Sequence, residues 1–331
     1  MRKNYRFKDG SLVFAGSLLS NIAVLFLISM ITYLFINYLG YSSSEIYSNI
    51  WYIYLNSILC ELGFFLLFII YNKKNKIDYF EASRLKIKFD KKIVFAVIGL
   101  AFLVFFVSLN FTGMFNVWAS SISSLSTSGS VPLDNFGQLL LSIIVFAIVP
   151  AVCEELVFRG IIYNSLRRKF GAGLSIAISA IIFMIIHFSI YQTVHQLILG
   201  LVLGCLVYFT GSIVYGIIFH FVNNLLVLLL SYFSSVGAFF SFSNFGVLEV
   251  VITTLIFAIG VLLTTLFFVF LNKYTKKHRN YLNLEKDSMV IESKDKDENA
   301  EAVRTRTTDI SCMVLTMVVC VILWLFNSFG G

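Results

Sequence analysis

A chain of 331 residues that is 58% hydrophobic and only 13% charged carries too much apolar surface to fold as a water-soluble protein, so its solvent is lipid. The formal net charge of +7 sits between apolar runs, which points to membrane topology and anionic lipid and gives no reason to invoke nucleic acid. All five cysteines, Cys60, Cys153, Cys205, Cys312 and Cys320, lie inside apolar runs without close metal-binding spacing, which argues against a zinc ribbon or a disulfide framework.

A helix needs about 20 apolar residues to cross the hydrocarbon core. The first such run, residues 12–38, follows Arg2, Lys3, Arg6 and Lys8. It is too long for the apolar part of a signal peptide and lacks a small-residue cleavage site, so it reads as a retained span. Runs over 51–71, 93–118 and 136–160 come next. Two shorter runs, 173–190 and 192–209, meet near Tyr191, and 212–233, 247–271 and 310–329 complete the series. The expected fold is all-α, a polytopic transmembrane helix bundle. Its core would be eight helices over residues 1–271, followed by a polar cytoplasmic linker over 272–309 and an accessory ninth span within 310–331.

Lysine and arginine concentrate at the N-terminus, in the loop 73–92, at Arg167-Arg168-Lys169 and after Lys273. The connections 41–50, 119–135, 188–191 and 234–246 contain neither residue. This alternation predicts nine crossings of a cell membrane, with the N-terminus cytoplasmic and the C-terminus outside. Trp51, Trp118 and Trp324 fall at the predicted outer ends, where an indole N–H can reach water.

Ionisable residues inside apolar spans are costly and mark candidate sites. Glu154, Glu155 and Arg159 share the fourth run, His187 ends the fifth, and His220 and Asn224 occupy the seventh. A spacing of four places Glu155 beside Arg159 as a charge pair. Glu154 points roughly 100° away and is left for another task, such as a general base. Pro150 cannot donate to the carbonyl of Phe146, so it would open the helix one turn before the acids. Glu154 and His187 are almost equally far in sequence from a turn at Phe170, which sets them at similar depth in an antiparallel pair. Phe183 and His187 share a helical face, as do His220 and Asn224. His220 follows Ser212 so closely that reaching the same depth demands a sunken turn. Glu61 stands alone in its run and reads as a protonated or interhelical group, whereas His195, beside Gln192 and Gln196, reads as a solvated boundary residue.

The three patterns, Glu154-Glu155-x-x-x-Arg159, Phe183-x-x-x-His187 and His220-x-x-x-Asn224, occur in that order on successive spans. They resemble the signatures of the CAAX-protease and bacteriocin-processing (CPBP, or Abi) membrane peptidases, and are similar to those of type II CAAX prenyl endopeptidases. The resemblance covers about residues 136–233 and implies an intramembrane endopeptidase acting on membrane-associated or lipidated peptides. It further implies that Glu154, helped by His187, activates the attacking water, that His220 and Asn224 stabilise the oxyanion, and that Glu155 and Arg159, with Phe183, brace the site. A cofactor-free glutamate mechanism is the favoured expectation. The alternative is zinc held by Glu154, His187 and His220, although no His-Glu-x-x-His pair is present. Two other classes remain open, a non-catalytic immunity or scaffold protein of the same fold and an ion-coupled transporter. Inverted repeats or paired broken helices would favour the transporter.

Overall fold

The computed structural model describes residues 4–85, 90–123, 133–233, 246–282 and 307–329. The connections expected at 119–135 and 234–246, and the linker expected at 272–309, fall largely outside these residues.

Every regular element among the described residues is helical. Long helices are α1 (Phe7–Leu39), α3 (Ile50–Lys74) and α5 (Lys91–Ile122), with the short α2 (Ser43–Ser48) and α4 (Tyr79–Ala82) in the connections. The continuous helix α6 (Phe136–Leu166) follows. Then come α7 (Ala172–Ile185), α8 (Ile190–Thr210), α9 (Val214–Tyr232), α10 (Val247–Leu282) and α11 (Thr307–Phe329). Among the described residues eight of these are long and apolar enough to cross a membrane. The protein is thus a polytopic helical bundle. Large apolar side chains such as Phe95, Leu266 and Phe326 point outward, as a lipid-facing surface requires.

The fifth apolar run forms only the 14-residue α7, about 21 Å at 1.5 Å per residue. His187 and the left-handed Phe188 (φ 48) interrupt it, and α8 resumes at Ile190. Helix α10 continues past the expected boundary at residue 271, through the basic segment, to Leu282.

Contacts fix two ends of the bundle. At one end Tyr5 bonds Asn72 and Ser83, Asn164 donates to Ala82 O, Tyr274 donates to Asp90, and Ser212 donates to Arg84 O. At the other end Ser123 donates to Ser328 O and Trp324 to Thr193. Helices α1, α3, α5 and α6 therefore run alternately between the ends, as do α8, α9, α10 and α11; α6 and α8 run the same way, and α7 with its following turn returns the chain between them.

The turn between α8 and α9 is buried from Thr210 to Ile213. The carbonyl of Arg84 accepts from both Ile213 N and Ser212 Oγ, so a covering loop satisfies groups that lipid could not. This is the sunken turn that His220 requires. Helices α7 and α8 touch at Gly200, where a Cβ would lie 2.9 Å from the Cα of Ala180. A side chain there would force the two helices apart.

Candidate active site

Helix α6 departs from regular α geometry twice, with π turns at Ile143–Ile148 and Phe158–Tyr163. The acids occupy the ordinary helical stretch Val149–Val157 between them. Each π turn inserts an extra residue, and such bulges recur at functional sites because they re-aim the side chains around them.

Glu155 and Arg159 form the buried pair that their spacing predicts. Arg159 Nη1 donates to Glu155 Oε1 at 2.7 Å, with both side chains fully buried. The guanidinium also donates from Nη2 to Gly200 O at 3.2 Å and lies 4.3 Å from the centroid of Phe183. One planar cation thereby ties α6 to α8 and α7. On its other side Glu155 lies against Gly216, where a Cβ would come within 3.1 Å of Oε2.

Glu154 faces two imidazoles. His187 Nε2 is 3.9 Å from Glu154 Oε1, and His220 Nε2 is 3.9 Å from Oε2. The opposite nitrogen of each ring is engaged. His187 Nδ1 is 2.6 Å from Phe183 O, where it can only donate, and His220 Nδ1 is 3.3 Å from Glu155 Oε1. In the neutral rings Nε2 is then left as a lone pair directed toward Glu154. Phe183 fixes the ring planes, with its edge or face 4.9 Å from His187 and 5.9 Å from His220 between centroids.

The 3.9 Å gaps are too long for direct hydrogen bonds and fit one solvent molecule bridging carboxylate and imidazole. Glu154 Oε2 is buried and accepts from no donor among the described residues, which leaves it able to accept from a water. Zinc would draw the same atoms closer, since bonds of about 2.0–2.2 Å place neighbouring tetrahedral ligands roughly 3.3 Å apart. No cluster of three His, Cys, Asp or Glu side chains among the described residues has metal-holding geometry. As arranged, the donors are of a type that zinc accepts but stand further apart than zinc ligands would.

Asn224 lies one turn beyond His220 on α9, but its amide Nδ2 donates to Phe146 O at 3.3 Å. One amide hydrogen is thus committed to α6, which leaves the second for another acceptor.

Two residues outside the motifs adjoin the site. Glu61 makes the interhelical contact expected of it: it is 6% exposed, and α3 brings it within hydrogen-bonding reach of Glu154, which the sequence did not identify as its partner. His195 is not a solvated boundary residue. It is half-buried, and its Nε2 accepts from the fully buried Asn223 at 3.1 Å. The signal for Glu61 was present as a lone acid in an apolar run. That for His195 was masked by adjacent glutamines.

Residues 136–226 match the family model described as Type II CAAX prenyl endopeptidase Rce1-like. That stretch contains Glu154, Glu155, Arg159, Phe183, His187, His220 and Asn224, so the resemblance read from the motifs is supported there. At family level the match points to an intramembrane endopeptidase of CAAX type. No match was found among curated proteins or solved structures.

Proposed function

We propose that this protein is an intramembrane endopeptidase that cleaves membrane-associated or lipidated peptides with a water activated by Glu154. The observation that carries the reading is the position of Glu154 between His187 Nε2 and His220 Nε2, each 3.9 Å away. A water held there can give its proton to the carboxylate while an imidazole keeps its oxygen aimed at the substrate carbonyl. His220 in its doubly protonated form, with an N–H on Nε2, and the remaining N–H of Asn224 would stabilise the negative oxygen that forms. The pair Glu155–Arg159 would hold His220 in place through its Nδ1. No step in this reading uses a metal.

The basic end of the bundle, which holds Lys73, Lys74, Lys169 and Lys273, would face the cytoplasm by the positive-inside rule. The C-terminus would then lie outside, and membrane lipid would be the permanent partner.

The reading is tested with full-length protein in lipid vesicles, supplied with a farnesylated CAAX-type peptide and its unmodified counterpart. Wild-type protein should release a C-terminal fragment from at least one of them, and Glu154→Ala should release none while unfolding at the same temperature. Equal turnover by the two proteins would remove Glu154 as the base.

A further inference from the structure

His187 does not sit on a regular helix. It occupies the turn after the short α7, beside Phe188, whose backbone is left-handed. A bulky residue rarely adopts that conformation without outside support. The turn also leaves peptide carbonyls without helical donors, which a side chain from a neighbouring helix can satisfy.

The donor comes from α11. Asn327 Nδ2 donates to Phe188 O. One helical turn earlier, Trp324 Nε1 donates at 3.2 Å to Thr193 Oγ1 in the first turn of α8. Its indole packs with Ala119, Ile190 and Tyr191 instead of standing free at a membrane boundary. Ser123 Oγ donates at 2.8 Å to Ser328 O, which fastens the end of α5 to the same place. Along the rest of α11, Met313, Thr316 and Cys320 are buried, and the helix runs against α1 and α7. The two polar contacts thus hold the chain just after His187, one on each side of Ile190.

We propose that α11 is a positioning element for His187, with Asn327 and Trp324 holding the turn so that Nε2 stays at its distance from Glu154. The inference rests on the endopeptidase reading of the site. Neither residue touches a reacting atom, and their effect is transmitted through the backbone at Phe188 and Thr193. The last helix is then part of the catalytic apparatus, not a membrane anchor added to a finished core.

The test uses full-length protein in lipid vesicles and four variants: Asn327→Ala, Asn327→Asp, Trp324→Phe and, as a control on the lipid-facing side of the same helix, Leu325→Ala. Asn327→Asp preserves size and replaces the donor by an acceptor, and Trp324→Phe keeps a ring but loses the N–H. The first readout is the rate of diethyl pyrocarbonate labelling at His187, followed by peptide mass spectrometry with His278 on α10 as internal reference. Labelling of His187 should rise severalfold in the three test variants and remain at the wild-type rate in Leu325→Ala. The second readout is peptide cleavage, where kcat should fall about tenfold in the test variants with KM unchanged. Wild-type labelling of His187 in both Asn327→Asp and Trp324→Phe would overturn the proposal. Changed labelling in a protein that cleaves no peptide would leave the positioning role standing and remove the endopeptidase reading instead.

Discussion

The side-chain amide of Asn224 donates to the carbonyl of Phe146, whose donor in a regular α-helix would be residue 150, a proline with no N–H. A proline on α6 and an asparagine on α9 are therefore two halves of one device, which opens the helix before the acids and closes the broken bond from outside. Asn224→Ala should destabilise the protein by about 1 kcal/mol, because a half-buried carbonyl loses this donor. In a Pro150→Ala background the restored N–H should absorb much of that loss. A double-mutant cycle by reversible unfolding in mixed micelles should give a coupling of at least about 0.5 kcal/mol; additive losses would separate the two residues.

Arg159 has no conservative replacement. Arg159→Lys keeps the charge but cannot serve Glu155, Gly200 O and the Phe183 face together. Arg159→Met leaves Glu155 buried without its cation and should cost on the order of 3–5 kcal/mol. Both variants should unfold earlier than wild type in a thermal scan, with methionine the worse; wild-type melting for either would show that the pair is dispensable.

Glu61 is expected to matter by what it presents to Glu154. Glu61→Gln retains a polar group of the same shape, whereas Glu61→Leu places an apolar one against the carboxylate. The glutamine variant should turn over peptide at least about tenfold faster than the leucine variant, a difference within the range that one acid–base partner contributes. Equal rates would make Glu61 a bystander.

Metal removal follows from the 3.9 Å spacings. Protein treated with chelator and shown by elemental analysis to be metal-free should keep its full rate. Loss of activity that returns on adding zinc would replace the water-bridged arrangement by a coordinated one.

How much of this was legible beforehand depended on whether the information was local. Apolar run length located the spans, and the spacing of four between Glu155 and Arg159 announced their pair. Equal distance from the turn at Phe170 anticipated that Glu154 would meet His187. What could not be read depended on contacts between distant segments. Glu61 looked solitary because nothing within α3 indicates that α6 lies against it, and His195 looked solvated because Asn223 is on another helix. Pro150 and Asn224 were each singled out, yet their link runs through Phe146 O and exists only once α9 is folded against α6. The length of α7 was overestimated because its apolar run continues past the helix, and composition does not register the left-handed turn at Phe188.

The two π turns in α6 have a consequence for how this segment can vary. Each holds one residue more than a regular turn, so deleting a single residue from 143–148 would restore α register at that turn and probe the register directly. Everything on one side of the deletion would rotate by about 100° relative to the other, carrying Glu154 and Glu155 away from both imidazoles or the N-terminal half away from its neighbours. Away from Glu154, Glu155 and Arg159, substitutions along this helix can be absorbed by local repacking, but a change of one in its length cannot. Natural drift in this stretch is accordingly expected to exchange side chains while preserving the count.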